Sequence, residues 1–177
     1  PIYEFAKMLL VKNEKFLPEM EIFTTSSQVG YSSSVMNASG LGTKETVAEI
    51  VLAHWLSGTF LWDKIRTTGG AYGASATVSS IAKCFTFCTY RDPNPLKSVD
   101  VFIESLKEAA QVNLSNEECD KLITGTYGEE FLPVSPATEG RIGLCRILAS
   151  VSNEDLKDKL KNLLSVKPED LKDAAER

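Results

Sequence analysis

The sequence predicts an α+β domain, an antiparallel sheet with helices packed on one face. Three observations carry that prediction. Segments rich in Thr, Ser, Val, Phe and Tyr, the strand formers, lie in the first half of the chain. One long helical pattern falls between them, over 44–60. From RDPNP (91–95) onward the chain reads as helix after helix to its end.

Residues 1–19, PIYEFAKMLLVKNEKFLPE, form a lead-in from a preceding domain that Pro18 separates from the domain proper over 20–177. Glu21 to Val35 alternate loosely and are interrupted at Gly30, so they read as one bent strand or two short ones. NASGLGTKET (37–46) is a loop, and Thr43 suits the N-cap of the helix that follows. That helix is mostly buried: Val47, Ile50, Val51, His54 and Trp55 share a face that Ala48, Leu52 and Leu56 widen. Tyr72–Ser80 and Cys84–Tyr90 pair as a hairpin. Asn94 and Pro95 supply an N-cap and first helical position, and Leu96, Val99, Ile103, Leu106 and Ala110 recur along one face. Ser115 with Glu118 predicts a capping box, Ser135-Pro136 a further start, Ser152 with Asp155 another cap, and Pro168 the last helix.

With 177 residues, 43% hydrophobic and 24% charged, the chain suits a single domain with a real core. A net charge of -5 with no basic tract excludes nucleic acid as the main partner. No apolar run reaches the ~18 residues of a membrane span, and no signal peptide opens the chain. The four cysteines lack CxxC spacing, so reduced, buried thiols are expected, in an intracellular compartment that is either bacterial cytoplasm or an organelle matrix. The start at Pro1 suggests a piece of a longer polypeptide.

Most candidate motifs fail on chemistry. SGLGTKET (39–46) lacks the Gly-Lys-Ser/Thr of a phosphate loop. His54 is the single histidine and has neither a second histidine nor an H-x-x-E-H around it, so it reads as a core or boundary residue and not a metal ligand. LWDKIRTTGGAYG (61–73) is different. A helical, basic run stops at Gly69-Gly70, and Arg66 and Tyr72 flank that hinge. Glycines admit close backbone approach, and a guanidinium and a phenol converging on one point suit a carbonyl or a developing oxyanion.

LWDKIRTTGGAYGA and FTFCTYRDPNPLKSVD, with Gln28, Val29 and Tyr31 upstream, resemble the C-terminal domain of the presequence proteases. These form a branch of the pitrilysin/insulysin superfamily of zinc metallopeptidases. TGTYGEEFLPVSPATEGR and the leucine-rich last helices fit as well, so the resemblance covers 20–177. It implies a processing-peptidase-like domain, the last of a four-domain chain that closes into a chamber around unstructured peptides. It further implies that Arg66 and Tyr72 contact the substrate backbone and stabilise the oxyanion, with Gly69 and Gly70 in the substrate-binding turn. Zinc would be bound by the N-terminal catalytic domain of the same enzyme, with none in this fragment, because the chain has no H-x-x-E-H. Alone, it should then be inactive. The alternative is a non-catalytic scaffold or binding subunit of the same superfamily.

Overall fold

A computed structural model describes residues 28–130 and 132–177, so the lead-in over 1–19 and most of the strand region from Glu21 lie outside the described residues. Three strands, β1 (Ser33–Asn37), β2 (Gly73–Ser79) and β3 (Cys84–Tyr90), form a sheet in the order β1-β3-β2. Both pairings are antiparallel, with Ser34 and Ala76 opposite Phe87. The helices are α1 (Lys44–Gly58), α2 (Pro95–Gln111), α3 (Asn116–Glu130), α4 (Pro136–Leu148), α5 (Asn153–Leu163) and α6 (Pro168–Glu176). Between α1 and β2 the backbone winds as a π-helix over Trp62–Thr68.

Strand alternation explains the layering. Phe85, Phe87 and Ala76 point into the core, while Ser33, Val35, Cys88, Ser75 and Thr77 stay exposed on the other face. The described helices therefore pack on one side of the sheet, as predicted. Val47, Val51, Leu52 and Leu56 of α1 are buried against them, together with Leu61 and Ile65, Leu163 of α5 and Leu171 of α6. Phe87 stacks on Phe102 of α2 at 4.9 Å, and full burial of such side chains contributes about 1.5–3 kcal/mol each. The sheet edge at β2 is guarded by α1: Ser57 Oγ accepts from the Ala76 N–H at 2.8 Å.

Local capping follows the sequence closely. Thr43 Oγ1 accepts from the Thr46 N–H at 3.2 Å, and Ser115 with Glu118 and Ser152 with Asp155 both close capping boxes. Backbone and hydroxyl donors from those serines hold the Glu118 and Asp155 carboxyls below their ordinary range. A depressed folded-state pKa stabilises the helix start above the unfolded carboxylate range, and that contribution is lost as pH falls through the lowered value. The protection factors of the amides in the first turns of α3 and α5, relative to the intrinsic exchange rate at each pH, are thus expected to fall in acid below about pH 4. Ser115→Ala and Ser152→Ala should flatten that dependence, and an unchanged pH profile would contradict the assignment.

Three details differ from the sequence reading. The buried stripe of α2 is Phe102 and Ala109 with the small Ser98 and Ser105, half-covered Val99 and Leu106 at its margin. Leu96 is 86% exposed and Ile103 is also exposed, because the Phe87–Phe102 stack sets the rotation of the helix. Asn94 occupies the N-cap position without a capping side chain; its amide turns to the Gly69 carbonyl at 3.5 Å. Of the cysteines, only Cys119 is fully buried, and burial first, then Asp120, Asp170 and Glu169, raises its thiol pKa. Cys88, on the open sheet face, and Cys145, on α4, are exposed, which corrects the expectation of buried thiols.

His54 sits at a boundary, as expected. Its Nδ1 lies 3.0 Å from Glu129 Oε1 of α3, and its Nε2 would stand 2.6 Å from a Cβ placed at Gly125. Gly125 thus makes room for the ring between α1 and α3. Gly125→Ala is expected to destabilise the chain by about 1–3 kcal/mol through this clash. In a urea-unfolding cycle His54→Ala should recover most of that loss; two independent, additive losses would refute the contact.

Candidate substrate-binding site

The LWDKIRTTGGAYG segment folds as the π-helix, a glycine turn and the entry to β2. A π-helix is rare and frequently occurs at functional sites. Here it closes on a position that only glycine fits: a Cβ at Gly69 would lie 2.6 Å from the Ile65 carbonyl oxygen. Gly70 then takes φ +80°, the left-handed region that glycine adopts without a steric penalty. Its N–H donates to the Arg66 carbonyl at 3.1 Å, and the Ala71 N–H to the Ile65 carbonyl at 3.1 Å. Both ends of the hinge are therefore fixed by backbone bonds.

Arg66 and Tyr72 are brought to one place. They line an open hollow of about 640 Å³ with Val29, Trp62, Thr67, Gly70, Ala71 and Arg91. The Arg66 guanidinium lies over the Trp62 ring, 3.8 Å from its centroid. That stacking orients the group without using its N–H donors, and among the described residues no carboxylate forms an ion pair with it. Tyr72 is 69% exposed, so its hydroxyl is open to a ligand. Its ring sits edge-on to Tyr90 at 5.7 Å, and Tyr90 sits edge-on to Tyr31 at 5.5 Å. This row of tyrosines crosses the end of the open sheet face.

A second layer holds the first. The Tyr72 N–H is shared between the carbonyls of Tyr90 (3.1 Å) and Arg91 (3.4 Å), with Arg91 at φ +48°. Asp92, 1% exposed, accepts from the Asn94 N–H at 2.8 Å and from the Ser98 hydroxyl at 2.6 Å. Its backbone exchanges bonds with Gly30 at 2.7 and 2.9 Å, and a Cβ at Gly70 would come 3.6 Å from Pro93. The RDPN turn is thus the clamp that sets the hinge, joining Gly30 ahead of β1, the start of α2 and the Tyr72 backbone.

Sequence reasoning named Arg66, Tyr72, Gly69 and Gly70 but not Trp62, Arg91, Tyr90 or Asp92. The signal for Arg91 and Asp92 lay within the quoted Y-R-D-P-N pattern. Trp62 precedes Arg66 by one helical turn, a spacing that brings two side chains onto one face. Among the described residues, no group of three His, Cys, Asp or Glu side chains stands close enough to hold a metal ion.

Residues 20–177 match the family model described as the PreP C-terminal domain. The chain belongs to the PreP C-terminal domain family. Presequence protease 1, chloroplastic/mitochondrial, of Arabidopsis thaliana is 30% identical over 156 residues, which cover 88% of this chain and 14% of that protein. The mitochondrial presequence protease of Drosophila melanogaster is 37% identical over 128 residues, covering 71% of this chain and 12% of the relative. The chain therefore spans about one-seventh of the length of the curated relatives it matches. Among solved structures, an inactive peptidase domain from Bordetella parapertussis superposes with a TM-score of 0.67 at 15% identity, covering 86% of this chain and 88% of that one. A protease from Helicobacter pylori superposes with a TM-score of 0.61 at 16% identity, over 88% of this chain and 39% of that one. At such identities these likenesses establish the fold alone, a shared α+β architecture.

Proposed function

We propose that this chain is the substrate-binding C-terminal domain, over 20–177, of a zinc metalloendopeptidase that degrades unstructured peptides in a closed chamber. The observation that carries the reading is the hollow itself: a stacked guanidinium, without an ion-pair partner among the described residues, and an open phenol share its wall. Family membership supplies the reaction class. When a peptide bond is hydrolysed, negative charge grows on the carbonyl oxygen. Tyr72 donates its O–H to that oxygen, and the bond strengthens as charge develops, which lowers the barrier. Arg66 holds a neighbouring backbone carbonyl of the peptide, with Arg91 adding positive potential on the same wall. Gly69 and Gly70 let the extended peptide lie close to the turn.

The described residues do not fit a catalytic zinc ion, and the chain has a single histidine. We place the metal in the N-terminal catalytic domain of the same enzyme, so that 1–177 is inactive by itself. The organellar names of the relatives support an intracellular setting. The test is the coding sequence upstream of Pro1, together with digestion of a denatured peptide and a folded protein by the full polypeptide. An H-x-x-E-H and cleavage confined to the unfolded peptide support the proposal. Their absence would leave the scaffold reading in its place.

A further inference from the structure

The hollow that holds Arg66 and Tyr72 has a second guanidinium in its wall, that of Arg91, and its lining includes no acid. Alternation along β3 turns Phe87 and Thr89 to the core and Cys88 and Tyr90 outward, so an extended residue 91 would turn inward. Arg91 instead takes φ +48°, the left-handed region that few non-glycine residues enter, and its side chain stays exposed. The next residue holds that conformation in place. Asp92 exchanges two backbone bonds with Gly30, and its carboxylate accepts from the Asn94 N–H and the Ser98 hydroxyl. Unusual backbone that its surroundings over-determine clusters at ligand clamps. The same bonds commit the Asp92 carboxylate, the acid adjacent to Arg91 in sequence, to the interior. Among the described residues no carboxylate forms an ion pair with Arg91.

We propose that Arg91 determines specificity by taking a carboxylate of the peptide bound in this hollow. The inference rests on the reading of the hollow as a peptide site and adds the charge class of the peptide. A peptide backbone is neutral, and one guanidinium, that of Arg66, suffices to hold its carbonyl. A second cation on the same wall, with no acid lining the hollow beside it, is matched by negative charge on the ligand. In a peptide that charge resides on Asp and Glu side chains and on the C-terminal carboxylate. Each is planar and accepts the guanidinium fork through both oxygens, a geometry that a neutral amide cannot reproduce. Tyr72 and Arg66 thus act on the main chain of any peptide, while Arg91 separates acidic peptides from neutral ones.

The experiment measures fluorescence anisotropy of labelled peptides on the full polypeptide, with EDTA present so that bound peptides are not cut. Four versions of one unstructured peptide are compared: internal acidic positions all Glu or all Gln, and the C-terminus free or amidated. The wild-type polypeptide is expected to bind a carboxylate-bearing version at least about threefold more tightly than the neutral one, and the arm that carries the difference identifies which carboxylate is held. Arg91→Asn removes the cation with a residue that tolerates the left-handed region, so the turn is kept and the preference should vanish. A change that only disturbed the turn would weaken all four peptides alike and leave their ratios untouched. Equal affinities in the wild type, a preference that survives Arg91→Asn, or no binding of any of the four would each overturn the inference. A carboxylate preference in a polypeptide that, without EDTA, cleaves none of these peptides would remove the peptidase reading and leave the role of Arg91 standing.

Discussion

Tyr72→Phe in the full polypeptide is expected to lower kcat by at least tenfold, toward the order of 10²–10³ for loss of one oxyanion donor, with KM and zinc content near wild type. The reasoning is differential. The hydroxyl bonds weakly to a neutral carbonyl and strongly to the oxygen that gains charge, so its removal falls on the chemical step. Phenylalanine keeps the edge-on contact with Tyr90 and the backbone bond to the Tyr90 carbonyl, so the fold has no reason to change. Steady-state kinetics on an unstructured peptide, with metal analysis of the same sample, measures both quantities. Wild-type turnover would remove Tyr72 from the reaction.

Asp92→Ala is expected to have the largest effect on stability, a loss of about 3 kcal/mol, because it strips a buried carboxylate from two donors at once. The Asn94 N–H, in a part-buried bond, and the buried Ser98 hydroxyl lose this acceptor, and Ser98 is left with only the longer 3.4 Å contact to the Asn94 carbonyl. The consequence reaches the hinge, since the same turn presents the carbonyls that hold the Tyr72 N–H. Asp92→Asn keeps one acceptor oxygen and should lose distinctly less. Urea unfolding of both variants, with unchanged slope, decides the matter. A shift of a few tenths of a kcal/mol in Asp92→Ala would show that the clamp is not what holds this turn.

The parts of the fold that were legible in the sequence are those set by chemistry within a few residues. The caps at Thr43, Ser115 and Ser152 and the hairpin over β2 and β3 depend on side chains and turns that are neighbours in the chain. The rotation of α2 was not legible in the same way. Leu96 and Ile103 fit an apolar stripe as well as Phe102 does, and only the Phe87 ring across the sheet decides between them. Residue type likewise said nothing about which thiols are covered: Cys88 sits on the side of β3 that no helix packs against, and Cys145 on a helix that buries nothing. Within the candidate site, the motif identified the two donors and the glycines between them. The groups that aim those donors, Trp62 under Arg66 and the Asp92 turn behind Tyr72, act across elements and became visible in the packing.

The central claim is that Arg66 and Tyr72 act on one peptide at one place. The most direct measurement is a double-mutant cycle on kcat/KM in the full polypeptide, with Arg66→Ala, Tyr72→Phe and both together, on an unstructured peptide. Each single variant is expected to be impaired with its zinc content intact, and the double variant to lose less than the product of the two single losses. Losses that simply multiply, or a wild-type rate in either single variant, would contradict it.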